Sequence, residues 1–121
     1  MKEYGFEKFT QEWNQKTVKI ALKAATLAHK EIAVAGSVST SGSWDKLKKS
    51  EIKPGFTEHL KILSDAGVNL IILEAMTSKD ETVETIIECS YKINLPVWLS
   101  ISCALDKDNG NLMHGYQESI K

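Results

Sequence analysis

The segment Val68-Asn69-Leu70-Ile71-Ile72-Leu73-Glu74 decides the fold. Its apolar residues run on without the polar alternation of a half-wetted strand, which is the pattern of a strand buried on both faces in a parallel sheet. The run stops at a carboxylate, so the strand is read as Val68 to Leu73, with Glu74 at its C-terminal end. Upstream, Phe56, Leu60, Leu63 and Ala66 recur at i, i+4, i+7 and i+10, with Pro54 near the start and Gly67 at the end, and this predicts a helix. A helix leading directly into a buried strand is the repeating unit of an α/β fold.

Working outward, the same unit occurs on both sides. Towards the N-terminus, Ile32 to Val38 is a short apolar run that stops at the polar stretch Ser39-Thr40-Ser41-Gly42-Ser43, a strand and then a loop. Before it, Trp13, Thr17, Ala21, Ala24 and Ala28 are spaced as the packing face of a helix, and Lys16, Lys19 and Lys23 as its wetted face. Towards the C-terminus, Ser78 followed by Glu81 fits a capping box ahead of Val83, Ile86, Ile87 and Ser90, so a third helix starts near Ser78. Leu95 to Cys103 reads as a third strand with Pro96 at its entry, Asp106 to Gly110 as a turn-rich loop, and Tyr116 to Lys121 as the beginning of a helix. The order is α, β, α, β, α, β, and right-handed crossovers then make the strands parallel. Three such strands leave two unpaired edges.

Composition limits what this unit can be. The 121 residues, 13.5 kDa, suit one domain spanning 1–121, and an eight-stranded α/β barrel needs ~250, so any barrel here is partial. All 15 basic residues are Lys and none is Arg, and the formal charge is -1, which argues against nucleic-acid binding. No 18-residue apolar run and no basic-then-apolar leader occurs, so neither a membrane span nor secretion is expected, and the expected location is cytoplasmic. Two cysteines, Cys89 and Cys103, make no disulfide framework. Cys89 falls inside the third helix as a small buried hydrophobe, whereas a reactive thiolate at Cys103 stays open.

Ligand groups in parallel α/β folds gather beyond the C-terminal ends of the strands. That rule selects Ser37 and Ser39 after the first strand, Glu74 after the second, and Ser100 or Ser102 with Cys103 at the third. Glu74 is placed to accept hydrogen bonds from a ligand ammonium or hydroxyl, with capping of the Ser78 helix or pairing with a Lys as its structural alternative. The Gly36 to Ser43 stretch lacks the endings of a P-loop or dinucleotide loop and reads as an ordinary loop. Setting Gly110 at the sixth position of a calcium loop would put Leu105 and Lys107 at ligand positions, which excludes it. His29, His59 and His114 are scattered and show no zinc spacing.

Taken in order, Asn14 with Val18 to Ala25, Val34-Ala35-Gly36-Ser37-Val38, Ala66 to Glu74, Leu95-Pro96-Val97-Trp98-Leu99-Ser100, and Gly110-Asn111-Leu112 with Gly115 resemble the homocysteine-binding domain of the homocysteine S-methyltransferases. The resemblance covers roughly residues 14 to 115. It implies a partial (β/α)8 TIM-type barrel: about three parallel strands, the third to fifth of the family's eight, with three to four helices. It implies methyl transfer from a small activated methyl donor to the thiolate of homocysteine, giving methionine. Glu74 matches the acidic residue that ends the family's fourth strand and helps hold the substrate amino group, and Gly36 and Ser37 match the active-site end of the third.

The departures carry equal information. The family usually has Asp where Asn69 stands, Thr where Ala75 stands, and Pro soon after the Gly-Ser where this chain has Ser39-Thr40. In the full-length family a zinc ion held by three cysteines binds the substrate sulfur. Those cysteines lie in G-x-N-C and G-G-C-C-G segments, neither of which occurs in these residues, and Cys103 aligns with the fifth strand instead. The expectation is therefore that this chain builds no zinc site and is inactive alone. The alternative from another class is a non-catalytic partial barrel that pairs with a complementing chain or a second copy through its open sheet edges. A small flavodoxin-like domain is a third reading, and it needs strands the sequence does not provide.

Overall fold

The computed structural model of this chain describes residues 9–40, 48–76 and 80–101. The elements are α1 (Thr10–Leu27), β1 (Ala35–Ser39), α2 (Lys49–Asp65), β2 (Leu70–Met76), α3 (Asp80–Ser90) and β3 (Val97–Ile101). The three strands form one parallel sheet in the order β1-β2-β3. Sequential order matters here, because right-handed crossovers that always step in the same direction put every connecting helix on the same face of the sheet. A doubly wound, flavodoxin-like sheet needs a reversal of direction, and none exists among the described strands. The fold is α/β with a singly wound open arc, which agrees with part of a barrel.

Side-chain burial follows that arc. Gly36 and Val38 of β1 share the helix-covered face with Ile71 and Leu73 of β2, and all four are buried. Ala35, Ser37 and Ser39 share the opposite face with Leu70, Ile72 and Glu74. Leu70 is buried at one end of that face, but Ser37, Glu74 and Trp98 are exposed further along it. The core therefore lies between sheet and helices, built from Val38, Ile71, Leu73 and Met76 below and Ile52, Phe56, Leu60, Leu63, Val83 and Ile86 above.

Two joints hold the arc together. At the end of α2, Gly67 takes φ 94, the Gly67 N–H donates to the Ser64 carbonyl at 3.0 Å and the Val68 N–H to that of Leu63 at 3.5 Å, with the Val68 and Leu63 side chains both buried. This is a Schellman cap with its apolar contact, and it turns the chain straight into β2. Next, Asn69 brackets Val34: the Asn69 N–H donates to the Val34 carbonyl at 2.8 Å, and Asn69 Oδ1 accepts the Val34 N–H at 2.8 Å. Only an acceptor oxygen is needed there, so the departure from the family's Asp costs this joint nothing.

The sequence reading needs corrections, among them that the second strand starts at Leu70 rather than Val68 and the third at Val97 rather than Leu95. The packing face of α1 is Asn14, Val18, Ala21, Leu22 and Ala25, not Trp13, Thr17, Ala24 and Ala28, which are exposed. Mostly alanine and threonine on the rejected face gave no volume contrast to choose by. Pro54 is the sixth residue of α2 rather than near its start; the helix opens at Lys49, where Glu51 Oε2 accepts the Lys48 N–H at 2.9 Å. The first strand starts three residues later than the apolar run, at Ala35, and includes Ser37 and Ser39. The second strand runs two residues beyond Glu74, to Met76. The third helix begins at Asp80, while Ser78, the 41–43 loop and everything after Ile101 lie outside the described residues.

One joint is sensitive to acid. His59 of α2 is largely buried and its Nε2 lies 3.3 Å from Asn14 Oδ1 on α1, and burial holds its pKa below the ordinary histidine value of 6.5. A folded-state pKa below the unfolded one means the unfolded chain takes the proton first as pH falls. His59 therefore costs stability progressively as pH drops below 6.5, and the cost levels off below the folded value. The slope from one such group is bounded at about 1.4 kcal/mol per pH unit. Denaturant titrations at neutral pH and at pH about 5 should show a smaller loss for His59→Gln than for the native chain; equal losses would remove His59 from the account.

Candidate functional site

The open face of the sheet collects its polar groups at the C-terminal ends of β1 and β2. Ser37 and Glu74 stand on that face two register steps apart, Ser37 opposite Ile72 and Glu74 opposite Ser39. The Ser37 hydroxyl donates to Glu74 Oε2 at 2.6 Å, a short charge-assisted bond. Among the described residues no lysine pairs with Glu74, and the alternative of capping the helix near Ser78 falls on residues outside the described ones. Its partner among the described residues is Ser37, which engages Oε2.

Ordinary alternation puts the carboxylate on the open face, and just beyond it the register between β2 and β3 shifts. Leu73 pairs with Leu99 and Met76 with Ile101, so three steps on β2 match two on β3. One extra residue is a β-bulge, a device that re-aims side chains beside sites. It is taken up at Ala75, which has φ 52, a left-handed conformation that a residue with a Cβ adopts only under constraint. Glu74 and Ala75 are both exposed, and Met76 is fully buried on the helix side. The apolar run predicts the carboxylate at the strand end, but the bulge is missed, and Ala at a left-handed position gives no sequence signal of the kind Gly or Asn would.

Gly36 lies on the other face. A Cβ there would stand 3.2 Å from Ile71 Cδ1 and 3.2 Å from Leu63 Cδ1. Its missing side chain serves the close approach of α2 to the sheet, and the structure does not bring that side together with Ser37 and Glu74. Ser100 and Trp98 share the open face on β3, with Trp98 opposite Ile72 and 63% exposed. Trp98 is thus the aromatic neighbour of the Ser37–Glu74 pair across the sheet, a role that spacing alone does not assign. Ser102 and Cys103 lie outside the described residues.

The zinc that the resemblance implies would need a set of donors that the described residues do not supply. Three thiolates are required and the sequence has two cysteines. Cys89 is buried in α3 on the helix side, where its Sγ is 3.5 Å from Thr57 Oγ1 and 3.7 Å from the Lys53 carbonyl. Among the described residues no group of three His, Cys, Asp or Glu side chains is placed to hold a metal ion. No described helix is long and apolar enough to cross a membrane.

The arrangement is thus a carboxylate fixed by a hydroxyl at the mouth of a parallel sheet, with an exposed indole nearby. A family model described as homocysteine S-methyltransferase matches residues 1–119. No curated protein matches the chain.

Proposed function

Because the chain belongs to the homocysteine S-methyltransferase family, we propose that it is the portion of such an enzyme that holds the amino-acid end of homocysteine. The observation that carries this reading is the Ser37–Glu74 bond of 2.6 Å at the open mouth of the sheet. An ammonium group is a compact donor of three hydrogens, and a carboxylate held by a neighbour's hydroxyl receives it without first having to be ordered. Ser37 is the positioning residue and Glu74 the one that touches substrate. In the overall reaction the homocysteine sulfur attacks the methyl carbon of a small activated donor, the carbon–leaving-group bond breaks, and methionine is formed.

The thiolate-binding metal of the family has no ligand set among the described residues, so no step of methyl transfer is assigned to this chain alone. The sulfur-activating groups are, on this reading, supplied from outside the described residues. On this reading, the purified chain supplied with zinc, homocysteine and S-methylmethionine forms no methionine above the uncatalysed rate. Formation at an enzyme-like rate would show the site to be complete.

The test of Glu74 is a binding measurement. Glu74→Gln keeps the shape and one acceptor oxygen but removes the charge, and a hydrogen bond to a charged partner contributes about 1.5–3 kcal/mol. Homocysteine titrated into the 15N-labelled chain should bind the variant at least about tenfold more weakly. Shifts confined to residues away from Ser37, Glu74 and Trp98, or equal affinity for both chains, would sink the assignment.

A further inference from the structure

Glu74 has a neighbour on each flank of the open face. Ser37, Ile72 and Trp98 form one row across β1, β2 and β3, and Glu74 stands two residues beyond Ile72 on the middle strand. Ser37 and Trp98 are therefore diagonal neighbours of the carboxylate, at the same offset on opposite sides. On the serine side that diagonal is spanned, since the hydroxyl reaches Glu74 Oε2 at 2.6 Å. On the other side stands a much larger group, and diagonal neighbours about 7–8 Å apart lie within reach of an aromatic side chain.

The fold makes little use of that ring. Trp98 is 63% exposed and, among the described residues, makes no hydrogen bond and no ring contact. Its exposed neighbours at this end of the face, Ser37, Glu74 and Ser100, are polar, whereas Ile72 between serine and indole is aliphatic and half-buried. An indole has an apolar body and a face that is the negative part of a quadrupole, so the partner that suits it is a cation on an apolar stem. Glu74 calls for a cation as well, and among the described residues no lysine supplies one.

The spacing admits a single cation shared by both groups. A charge-assisted hydrogen bond puts an ammonium nitrogen about 2.8 Å from a carboxylate oxygen, and a cation engages an indole within about 6 Å of the ring centroid. The two reaches together cover the diagonal between neighbouring strands. We propose that Trp98 is the second half of the amino-group site: Glu74 takes the hydrogen bonds of a primary ammonium, the indole face takes its charge from the other flank, and Ile72 receives the carbons behind it. The ligand class is a primary ammonium on an aliphatic chain, and Trp98 is the residue that sets this selectivity. The inference rests on the reading of Glu74 as the amino-group acceptor and adds a residue to it.

Homocysteine and, separately, n-butylammonium titrated into the 15N-labelled chain test it. The Trp98 Nε1–H signal, identified by its loss in Trp98→Phe, should shift with both. Affinity should fall in the order native, Trp98→Phe, Trp98→Leu, with the leucine variant at least about threefold weaker than the native chain for either amine. Because Trp98 is exposed, both variants should keep the native amide spectrum away from the open face; if leucine unfolds the chain, phenylalanine alone must still bind more weakly than tryptophan. Native affinity in both variants, with Glu74→Gln still weakening homocysteine, would remove Trp98 and leave the Glu74 reading standing. Equal weakening by phenylalanine and leucine would make Trp98 an apolar wall only, which also overturns the proposal. Binding of n-butylammonium in the expected order without binding of homocysteine would uphold the ammonium site and sink the homocysteine reading, and binding of neither would sink both.

Discussion

Leu60→Ala is expected to lower the unfolding free energy by about 3–4 kcal/mol, the usual cost of cutting a fully buried leucine back to Cβ. Leu60 lies in α2, the middle helix of the arc, and is completely shielded from solvent. It is in the same apolar cluster as Val18 of α1, Ile71 and Leu73 of β2 and Ile86 of α3, so the cavity opens where all the layers meet. The arrangement cannot collapse to fill it without moving a helix off the sheet. For a chain of this length the loss corresponds to a midpoint lower by about 10–15 °C. Since small domains have about 5–15 kcal/mol in all, the variant sits near the edge of folding. Leu27→Ala is the control: the same atoms are removed from an exposed position on α1, and in dilute solution the change should stay within about 0.5 kcal/mol. Similar losses from the two would mean that α2 is not the keystone of the core.

Gly36→Val is expected to cost about 2–3 kcal/mol by the opposite mechanism, overpacking. A Cβ at Gly36 already comes within 3.2 Å of Ile71 Cδ1, 3.2 Å of Leu63 Cδ1 and 3.3 Å of Leu63 Cβ, and valine adds two methyl groups beyond it. Leu63 Cβ is anchored to the helix backbone, so α2 itself must shift. Gly36→Ala should cost less, because only a few tenths of an ångström are needed. Ile71→Val removes the Cδ1 methyl that alanine would meet, so this pair should show favourable coupling in a double-mutant cycle. Additive losses from Gly36→Ala and Ile71→Val would place the crowding elsewhere.

Much of this architecture was legible because each strand is an apolar run with a helix-period segment before it. Val68 to Leu73 reads as a strand from its unbroken apolar run, and the rule that ligand groups gather at strand ends singled out Glu74, although β2 itself starts at Leu70 and is buried fully on one face only. Ser37 was selected by the same rule, and its bond to Glu74 follows from register, which fixed Ser39 opposite Glu74. The illegible parts depend on tertiary choice. The face of α1 could not be chosen from alanines and threonines, since either of two adjacent stripes has helical spacing. The role of Gly36 became apparent only when Leu63 was seen packed against it, because an absent side chain does not announce which neighbour requires its absence. Pro54 misled, because proline favours a helix's first turn without being confined to it.

A strand keeps an odd-even count, and the single left-handed alanine in β2 resets it. Before Ala75 the count sends glutamate toward the cleft; after it, methionine goes into the interior rather than beside the carboxylate. Deletions in this stretch are therefore not equivalent by position. Losing Ala75 itself would remove the extra residue and leave methionine directed inward, whereas losing one residue before it would turn the glutamate away from the cleft.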